Sequence, residues 1–370
     1  MRALITGGGT GGHINPALAI AKIIEKNEPD SVIAFVGTPN GMENRLIPRE
    51  GYSLYHIEIC GFDRKNPFNN IKTLRLMLSS EKEAEKLIRE FAPDVCIGTG
   101  GYVSWPLIKA AEKLGIPSVM HESNALAGAA VKATAPKLDL LLTNFDGMEK
   151  QVRCRNVVRC GNPLRSGFSD DSVSKQDAKR LLGLDGYNKS LLSFGGSLGA
   201  DTVNEAVLSL MSGYSSGRKD IHHLHQVGKR NYDVMKGKYV SRGLDRESNL
   251  ELVDYIYDMP VRLKAADLVV ARAGAMTVSE LAYLGKPAVL IPSPNVADNH
   301  QYKNAKALAD RGGAVLIEEK DLAADPGLLE KTVAELIGDD EKLKALSEGI
   351  SSFAVRDTDG IIYREIKKLI

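Results

Sequence analysis

Cysteine is scarce in this sequence, and neither sign of charge is in excess. The chain of 370 residues has four cysteines, Cys60, Cys96, Cys154 and Cys160, which form neither a CxxC pair nor a Cys/His ligand pattern. This composition excludes a secreted disulfide framework, and we expect free thiols in a reducing compartment. The formal net charge is only +1, so no overall field attracts nucleic acid, and we expect no nucleic-acid partner.

Long apolar runs are also missing. No stretch approaches the roughly 20 apolar residues that a membrane-spanning helix needs. The first residues, MRALITGGG, lack the apolar region of a signal peptide. We therefore expect a cytoplasmic protein whose membrane contacts, if it makes them, are peripheral. The composition is 43% hydrophobic and 26% charged, which is ordinary for a soluble protein, and the length suits two domains.

Short apolar segments alternate with helical patterns along the whole chain. The predicted strands are Ala3–Thr6, Ser31–Val36, Asp94–Gly98, Ser118–Glu122, Leu140–Thr143, Ser190–Phe194, His222–Val227, Glu251–Tyr255, Leu268–Ala271, Ala288–Ile291 and Ala314–Ile317. The predicted helices include Pro16–Lys26 and Glu81–Phe91, and residues 341–370 also have a helical pattern. Mostly apolar strands that alternate with helices predict an α/β fold with parallel sheets covered on both faces.

The opening pattern of the chain recurs in its second half. LITGGGTGGHINPALAIAKII and LLSFGGSLGADTVNEAVLSLM each place a glycine loop between a strand and a helix. A break is expected at GNPLR, residues 161–165, which a polar stretch follows. We predict two doubly wound, Rossmann-like domains facing across a cleft, residues 1–162 and 163–345. A C-terminal helical segment, residues 346–370, is expected to pack back on the first domain.

Three glycine loops each follow a predicted strand and precede a predicted helix. They are residues 7–12, with GxGxxG spacing, residues 98–106 and residues 195–200. Glycine lets the backbone approach a phosphate while the helix N-terminus attracts the anion, although close strand-to-helix packing is an alternative reason for such loops. A dinucleotide site would need an acidic residue at the end of the second strand, which SVIAFVGTPNG lacks, and a Walker site would need GK[ST].

The segment ADLVVARAGAMTVSELAYLGKPAVLIPSP carries the most information about a ligand. Residues 274–276 would offer backbone groups to a diphosphate, and a helix from about Thr277 would direct its positive end toward it. Glu280, one turn into this helix, would accept hydrogen bonds from both hydroxyls of a ribose. The structural alternative is that Thr277 and Glu280 form a capping box. Further on, Gln301 either binds sugar hydroxyls or caps the next helix.

Nine motifs together resemble, in order, those of the MurG family of bacterial glycosyltransferases, which convert lipid I to lipid II in peptidoglycan synthesis. They are TGGGTGGHINPALA, GTGGYVSWP, HESNALAG, GNPLR, GGSLGA, HQVGKRNY, YIYDM, ARAGAMTVSE and DNHQYKNA. The resemblance covers nearly the whole chain. Two positions depart from the pattern, because Ser123 and His300 stand where many relatives have Gln.

The resemblance implies a GT-B fold, with the sugar donor bound by the C-terminal half and the lipid acceptor by the N-terminal half. It implies donor contacts by a set of residues from both halves, namely Thr10, Gly11, Gly12, Asn124, Arg165, Ser197, Ile256, Ala275, Met276, Thr277, Val278, Ser279, Glu280 and Gln301. The two N-terminal glycine loops would hold the acceptor diphosphate through Gly9, Gly100, Gly101 and Tyr102.

The reaction that the resemblance implies is an inverting transfer. N-acetylglucosamine would pass from its UDP ester to the 4-hydroxyl of the N-acetylmuramyl-pentapeptide of undecaprenyl-diphosphate-linked lipid I. His13 is the candidate base, since it ends a glycine loop and has a side chain suited to neutral pH. Binding a diphosphate is its alternative role, and Glu122 is a weaker candidate base. The enzyme would act as a peripheral protein at the cytoplasmic face of the cell membrane.

Neither a metal nor another cofactor is expected. No DxD sequence stands near a predicted strand end, and Asp170–Asp171 and Asp339–Asp340 are interpreted as charges of solvated loops. Helix dipoles, loop amides and Ser197 would stabilise the leaving diphosphate in place of a cation.

A short apolar stretch with basic neighbours indicates a surface for anionic lipid. Its apolar residues are Ile71, Leu74, Leu76, Met77 and Leu78, its basic residues are Arg64, Lys65, Lys72 and Arg75, and Trp105 and Pro106 would extend it. The alternative is an ordinary buried helix face.

Three other functions compete with the transfer reaction. They are another UDP-sugar enzyme of the same architecture, such as a 2-epimerase, a non-catalytic nucleotide-sugar-binding protein, and a nicotinamide-dependent dehydrogenase.

Overall fold

The computed structural model describes residues 1–61, 70–164, 167–168, 172–196 and 199–370. The chain divides into two compact units. Unit 1 comprises Met1–Leu164 and Val355–Ile370, and unit 2 comprises Arg165–Ala354.

Strands and helices alternate through the first part of unit 1. Its elements are β1 (Arg2–Thr6), α1 (Gly11–Asn27), β2 (Val32–Gly37), α2 (Glu43–Arg49), β3 (Ser53–His56), α3 (Asn70–Phe91), β4 (Val95–Gly98), α4 (Ser104–Leu114), β5 (Ser118–Glu122), α5 (Ala129–Thr134), β6 (Leu140–Thr143) and β7 (Val157–Arg159). Short 3-10 helices cover Ala135–Lys137 and Met148–Lys150.

Unit 2 repeats the alternation. Its elements are α6 (Lys175–Leu181), β8 (Lys189–Phe194), α7 (Asp201–Leu210), β9 (Ile221–Gln226), α8 (Tyr232–Ser241), β10 (Leu250–Val253), α9 (Met259–Ala265), β11 (Leu268–Ala271), α10 (Ala275–Leu284), β12 (Ala288–Leu290), α11 (His300–Ala309), β13 (Val315–Leu316), α12 (Glu319–Ala324), α13 (Leu328–Ile337) and α14 (Asp340–Ser351). A π-helix, Met211–Ser215, follows α7, and 3-10 helices cover Leu244–Arg246 and Ala297–Asn299.

Each unit is built on one parallel sheet. The order is β3-β2-β1-β4-β5-β6-β7 in unit 1 and β10-β9-β8-β11-β12-β13 in unit 2. The order reverses between β1 and β4 and again between β8 and β11, where Thr6 pairs with Gly98 and Phe194 with Ala271. Loops diverge at such a reversal and leave a crevice at the carboxyl ends of the strands, which is where ligands bind in this class of sheet.

Apolar strands explain why both sheets are covered on two faces. The central strands β4, β5, β6 and β11 are buried along their whole length. In unit 1 one core includes Ile5, Ile20 and Phe35, and another includes Leu4, Val36 and Leu107. The parallel α/β fold that the sequence predicts is confirmed.

Two strands escape the sequence prediction, and both lie at the edges of the first sheet. β3 has three exposed side chains among SLYH, and β7 has only three residues, each half-buried. An edge strand contacts a neighbour on one side only, so it lacks the continuous apolar run that marks a central strand.

The C-terminal residues are helical and are shared between the units. Helix α14 belongs to unit 2, whereas α15 (Thr358–Lys367) belongs to unit 1. Ile362 and Ile366 of α15 enter the core that contains Ile14 and Ile20 of α1. Across the described ranges, none of the helices is both long and apolar enough to cross a membrane.

Candidate functional site

Two glycine loops meet at the carboxyl ends of β1 and β4. Gly101 has a φ of +81°, and a Cβ on it would lie 2.5 Å from the carbonyl oxygen of Gly8. A Cβ on Gly7 would lie 2.2 Å from Oγ1 of Thr99. A larger residue at position 101 would push the loops apart, because the two backbones are in contact there, and one at position 7 would displace the Thr99 side chain. The glycines therefore serve a close approach of the two loops, and this packing coexists with an exposed helix start.

His13 and Thr99 hold the two loops together through a reciprocal pair of hydrogen bonds. Nδ1 of His13 lies 3.1 Å from the carbonyl oxygen of Thr99, and the Thr99 hydroxyl donates to the carbonyl oxygen of His13 at 2.7 Å. A carbonyl can only accept, so Nδ1 carries the proton in this contact. In the neutral imidazole Nε2 is then the basic nitrogen. Gly100 makes room for the ring, since a Cβ there would lie 2.6 Å from Nδ1.

Glu43 supports the first loop, and no sequence pattern had indicated this residue. Its side chain is fully buried; one carboxylate oxygen accepts from the Thr38 amide and hydroxyl at 2.9 and 2.8 Å, and the other accepts from the Gly9 amide at 3.2 Å. Burial alone would raise the pKa of this carboxyl, but these donors hold it below its ordinary value. The available signal was Glu43 in the glycine-flanked run GTPNGMEN after the second strand.

The residues expected to hold an acceptor diphosphate differ in their hydrogen bonds, backbone conformation and exposure. The Gly9 amide is already donated to Glu43. Gly100 and Gly101 both have positive φ, and Tyr102, which is 39% exposed, places its ring edge 3.6 Å from where a Cβ on Gly9 would lie. Helix α1 begins five residues before its predicted start.

The early start of α1 places Gly11 and Gly12 in its first turn, with Thr10 at the N-cap. Backbone N–H groups in a first turn have no partner within the helix. They are therefore the amides of this loop that suit an anion best.

Glu122 shapes the loop after β5. One of its carboxylate oxygens accepts from the amide of Asn124 at 3.0 Å and from its side chain at 3.2 Å, and the other accepts from the Gly128 amide at 2.7 Å. Burial raises the pKa of Glu122 above its ordinary value despite these donors. Both carboxylate oxygens of Glu122 are therefore engaged by the loop that carries Asn124.

In unit 2, helix α10 begins at the carboxyl end of β11. The N-cap is Gly274 and the first helical residue is Ala275, so the helix starts two residues before the predicted Thr277. Thr277 is therefore in the first turn and Glu280 in the second, and no side chain caps this end. The capping-box alternative for Glu280 is wrong, because a capping box requires its Ser or Thr at the N-cap itself.

Residues of α10 fall into an accessible and a buried group. Ala275, Met276 and Thr277 are half-buried at the helix start, while Val278, Ser279 and Glu280 are buried. The Val278 amide donates to the Gly274 carbonyl at 2.9 Å. The helix start therefore presents the backbone of residues 274–277, and Val278 and Ser279 lie behind it.

Gln226 at the end of β9 joins two segments that the resemblance assigns to the donor. Its Nε2 donates to the Gly196 carbonyl at 2.9 Å, and its Oε1 accepts from the Ile256 amide at 3.1 Å. Gln301 is also engaged, since its Oε1 accepts from the Ser293 amide at 2.9 Å. Gln226 lies within HQVGKRNY, so the signal was present in the sequence, but a buried glutamine in a strand has no distinctive spacing.

Comparisons with known proteins cover both units. Residues 3–142 match the model of the glycosyltransferase family 28 N-terminal domain, and residues 190–359 match that of its C-terminal domain. Over 369 residues the chain is 39% identical to the UDP-N-acetylglucosamine--N-acetylmuramyl-(pentapeptide) pyrophosphoryl-undecaprenol N-acetylglucosamine transferase of Phocaeicola vulgatus, covering 100% of this chain and 96% of that relative. The chain belongs to the MurG transferases of glycosyltransferase family 28.

Solved structures agree with this family. The crystal structure of Acinetobacter baumannii MurG matches with a TM-score of 0.79 and 28% identity, covering 99% of both chains. A UDP-GlcNAc 2-epimerase from Neisseria meningitidis, solved with UDP-GlcNAc, matches with a TM-score of 0.65 and 14% identity over 100% of both chains. The second likeness shows the fold alone. The predicted MurG resemblance and GT-B fold are confirmed.

Several residues that the sequence singles out lie outside the described residues. They are Arg165 and Ser197 of the donor contacts, Asp170–Asp171, and Arg64 and Lys65 of the basic stretch. Among the residues that are described, no group of three His, Cys, Asp or Glu side chains is arranged to hold a metal ion. Asp339 caps α14 by accepting from the Lys342 amide at 3.0 Å, and Asp340 pairs with Lys189.

The apolar stretch of this MurG relative lies at the start of α3. Leu78 is 69% exposed, and Leu76 and Met77 are half-buried. Trp105 is half-buried at the start of α4, whereas Pro106 is buried. Pro106 therefore does not extend the exposed apolar surface, because it packs inside the helix layer.

Proposed function

We propose that this chain transfers N-acetylglucosamine from UDP-N-acetylglucosamine to the 4-hydroxyl of the N-acetylmuramyl-pentapeptide of undecaprenyl-diphosphate-linked lipid I. The observation that carries the proposal is the 39% identity over the full chain to a transferase named for this reaction. Unit 2 would bind the UDP-sugar and unit 1 the lipid-linked diphosphate.

His13 is the proposed base. Its Nδ1–H is held by the Thr99 carbonyl, so Nε2 is the nitrogen that takes the proton from the attacking hydroxyl. The hydroxyl oxygen forms a bond to the anomeric carbon while the bond from that carbon to the diphosphate breaks. Attack from the opposite side inverts the anomeric centre, and UDP leaves with the bonding electron pair.

The leaving diphosphate is proposed to bind at the start of α10. The first-turn amides from Ala275 onward and the positive end of the helix oppose its charge. The amide of Ile256 is donated to Gln226, so we propose that Ile256 receives uracil through its carbonyl oxygen. Glu280 would accept from the ribose hydroxyls and Gln301 would donate to the sugar. The donor contacts of Thr10, Gly11, Gly12, Asn124, Arg165 and Ser197 stay proposals from the resemblance.

The experiment that tests this reaction uses labelled UDP-N-acetylglucosamine and a lipid I analogue, with and without EDTA. We expect label in the lipid product and the same rate in EDTA, since amides and helix dipoles would replace a cation. An absence of transfer would overturn the proposed reaction. Transfer that EDTA abolishes would overturn only the metal-independent mechanism.

The enzyme is further proposed to bind the cytoplasmic face of the cell membrane peripherally, through the start of α3. Exposed Leu78 would insert among anionic lipids, and the basic residues that precede it in the sequence would attract their headgroups. We predict that Leu78→Asp weakens binding to vesicles containing anionic lipid about tenfold. Leu181 in unit 2 is equally exposed at 69%, so Leu181→Asp is the matched control and should bind like the unchanged protein. Equal losses in both variants, or none in either, would contradict this surface.

A further inference from the structure

Gln226 connects two loops at the carboxyl edge of the second sheet. The loop after β8, residues 195–200, and the segment after β10, residues 254–257, flank the end of β9, where Gln226 stands. The side chain is 2% exposed, and its amide is used in both directions, as donor to Gly196 and acceptor from Ile256. Each bond reaches a different loop, so the side chain fixes the distance between them.

Other contacts hold the same three segments at this point. A Cβ on Gly199, whose φ is +79°, would lie 2.0 Å from the Val227 carbonyl oxygen, so the first loop rests directly on the residue after Gln226. The Val227 amide donates to the Val253 carbonyl at 3.0 Å. Beyond it, Nζ of Lys229 lies 5.8 Å from the ring of Tyr255 and 5.9 Å from that of Tyr257.

These contacts differ in which parts of the three segments they hold in place. Gly199 and Val253 place backbone against backbone around Val227, and Lys229 contacts side chains at the edge. Of the contacts made by Gly199, Val253, Lys229 and Gln226, those of Gln226 reach the backbone of both loops at once. A buried amide satisfied at both ends also resists rotation, because turning it would leave a buried donor and acceptor unpaired.

We propose that Gln226 is a positioning residue of the donor site, which sets the spacing between the segment that receives the nucleobase and the loop that receives the diphosphate. This rests on the proposed function, in which Ile256 binds uracil and Ser197 of the loop after β8 contacts the donor, together with the expectation that Ser197 helps the start of α10 to stabilise the diphosphate. A ligand that spans both segments gains from a correct spacing, whereas a ligand that touches only one does not.

The substitution Gln226→Met tests the proposal, since it keeps the length of the side chain and removes both hydrogen bonds. We expect the affinity for UDP to fall roughly tenfold, as two hydrogen bonds each contribute modestly, while affinities for uridine and for pyrophosphate alone change less than twofold. Gln176→Met, at an exposed position of α6 in the same unit, should leave all three unchanged. A variant that binds UDP as tightly as the unchanged protein would overturn the proposal, and so would equal losses for all three ligands.

A second variant separates positioning from general damage to the fold. In Gln226→Glu the ionised carboxylate accepts from Ile256 but repels the Gly196 carbonyl, whereas the protonated acid donates to that carbonyl as the amide did. The ratio of the UDP affinity of Gln226→Glu to that of Gln226→Met, both measured at the same pH, should therefore rise as the pH is lowered. A ratio that does not change with pH would contradict the role. If the unchanged protein itself fails to bind UDP, the proposed function fails instead.

Discussion

Single side chains at the two strand-order reversals carry the chemistry that we propose. His13 is presented by a loop whose glycines allow two backbones to touch, and its ring is oriented by Thr99. Glu280 is buried in the second turn of α10. Both were candidates from the sequence, but the orientation of the first and the failure of the capping alternative for the second required coordinates.

We predict that His13→Asn lowers kcat about 100-fold, the usual contribution of a general base. Asparagine can still donate to the Thr99 carbonyl, so the loops should stay together and UDP affinity should not change. Steady-state kinetics with a lipid I analogue and calorimetry with UDP measure the two quantities. His56→Asn, on the exposed end of β3, is the control. Activity of His13→Asn within threefold of the unchanged enzyme would show that His13 is not the base.

Glu280→Gln should weaken UDP binding roughly 10- to 100-fold, because hydrogen bonds to a charged acceptor are the stronger kind. The same variant should bind 2′,3′-dideoxy-UDP as well as the unchanged protein does, since the hydroxyls that the carboxylate would accept from are gone. This double comparison isolates the ribose contact from any effect on helix α10. An equal loss for both nucleotides would assign Glu280 a structural role.

Other residues of the site illustrate what sequence patterns leave out. Glu43 and Gln226 act through bonds to loops that are distant in the chain, the first to Gly9 and the second to Gly196 and Ile256. Such pairings depend on the order of strands in the sheet. Periodicity and spacing along one segment hold no information about them.

At the scale of elements, the glycine loops and the helices that follow them were predictable because each loop repeats one local pattern. The starts of α1 and α10 were placed too late, at Pro16 and Thr277. In α1 the polar N-cap Thr10 is followed by Gly11 and Gly12, which are poor helix formers, and in α10 the N-cap is Gly274, which gives no polar boundary signal. The edge strands β3 and β7 were missed because they are short or exposed.

The first glycine loop should depend on the carboxylate beneath it. In Glu43→Gln one side-chain oxygen can still accept from Thr38, but the new NH2 group would face the Gly9 amide and leave it without an acceptor. We expect Tm to fall by about 5 °C and the KM for the lipid acceptor to rise, with UDP affinity unchanged.

The control for this loop is Glu25→Gln. Glu25 is an exposed carboxylate of α1 that accepts from the Tyr52 hydroxyl at 2.7 Å. Glu25→Gln should change neither the KM for the lipid acceptor nor the UDP affinity. If Glu43→Gln had unaltered acceptor kinetics despite a lower Tm, Glu43 would support the fold but not the acceptor site.

Helix α15 is held on the rest of unit 1 partly through Glu28. This carboxylate accepts from Lys367 at 2.7 Å, from Tyr363 at 2.9 Å and from the amino group of Met1 at 2.8 Å. These donors lower the pKa of Glu28 from 4.5 to about 2, and the hydrogen bond from Lys367 contributes most to this lowering. The stabilisation is therefore present above pH 4.5 and is lost as the pH falls toward 2.

We predict that Glu28→Gln lowers the free energy of unfolding by about 1–2 kcal/mol at pH 7, after allowance for solvent screening. The difference from the unchanged protein should shrink at pH 3.5. Trp105 is the only tryptophan and lies in unit 1, so its fluorescence in denaturant follows the relevant unit. Glu149→Gln, at an exposed position, is the control. A difference that does not depend on pH would refute the electrostatic attachment.

At the scale of the whole molecule, both units use the same plan. Each has a parallel sheet whose strand order reverses once, with glycine loops and a helix start at the reversal. The repeat of this pattern in the sequence was enough to predict two Rossmann-like units. The identity of the reaction came from the ordered motifs and the full-length similarity, since the fold is shared with 2-epimerases.

The most direct test of the transfer reaction is the release of UDP from UDP-N-acetylglucosamine, measured together with the lipid product. We predict that UDP appears only when a lipid I analogue is present, in a one-to-one ratio with a β-linked disaccharide lipid. A 2-epimerase would instead convert the sugar without an acceptor. UDP release that does not need the acceptor, or formation of the 2-epimer, would contradict the assignment of this chain as a lipid-linked N-acetylglucosaminyltransferase.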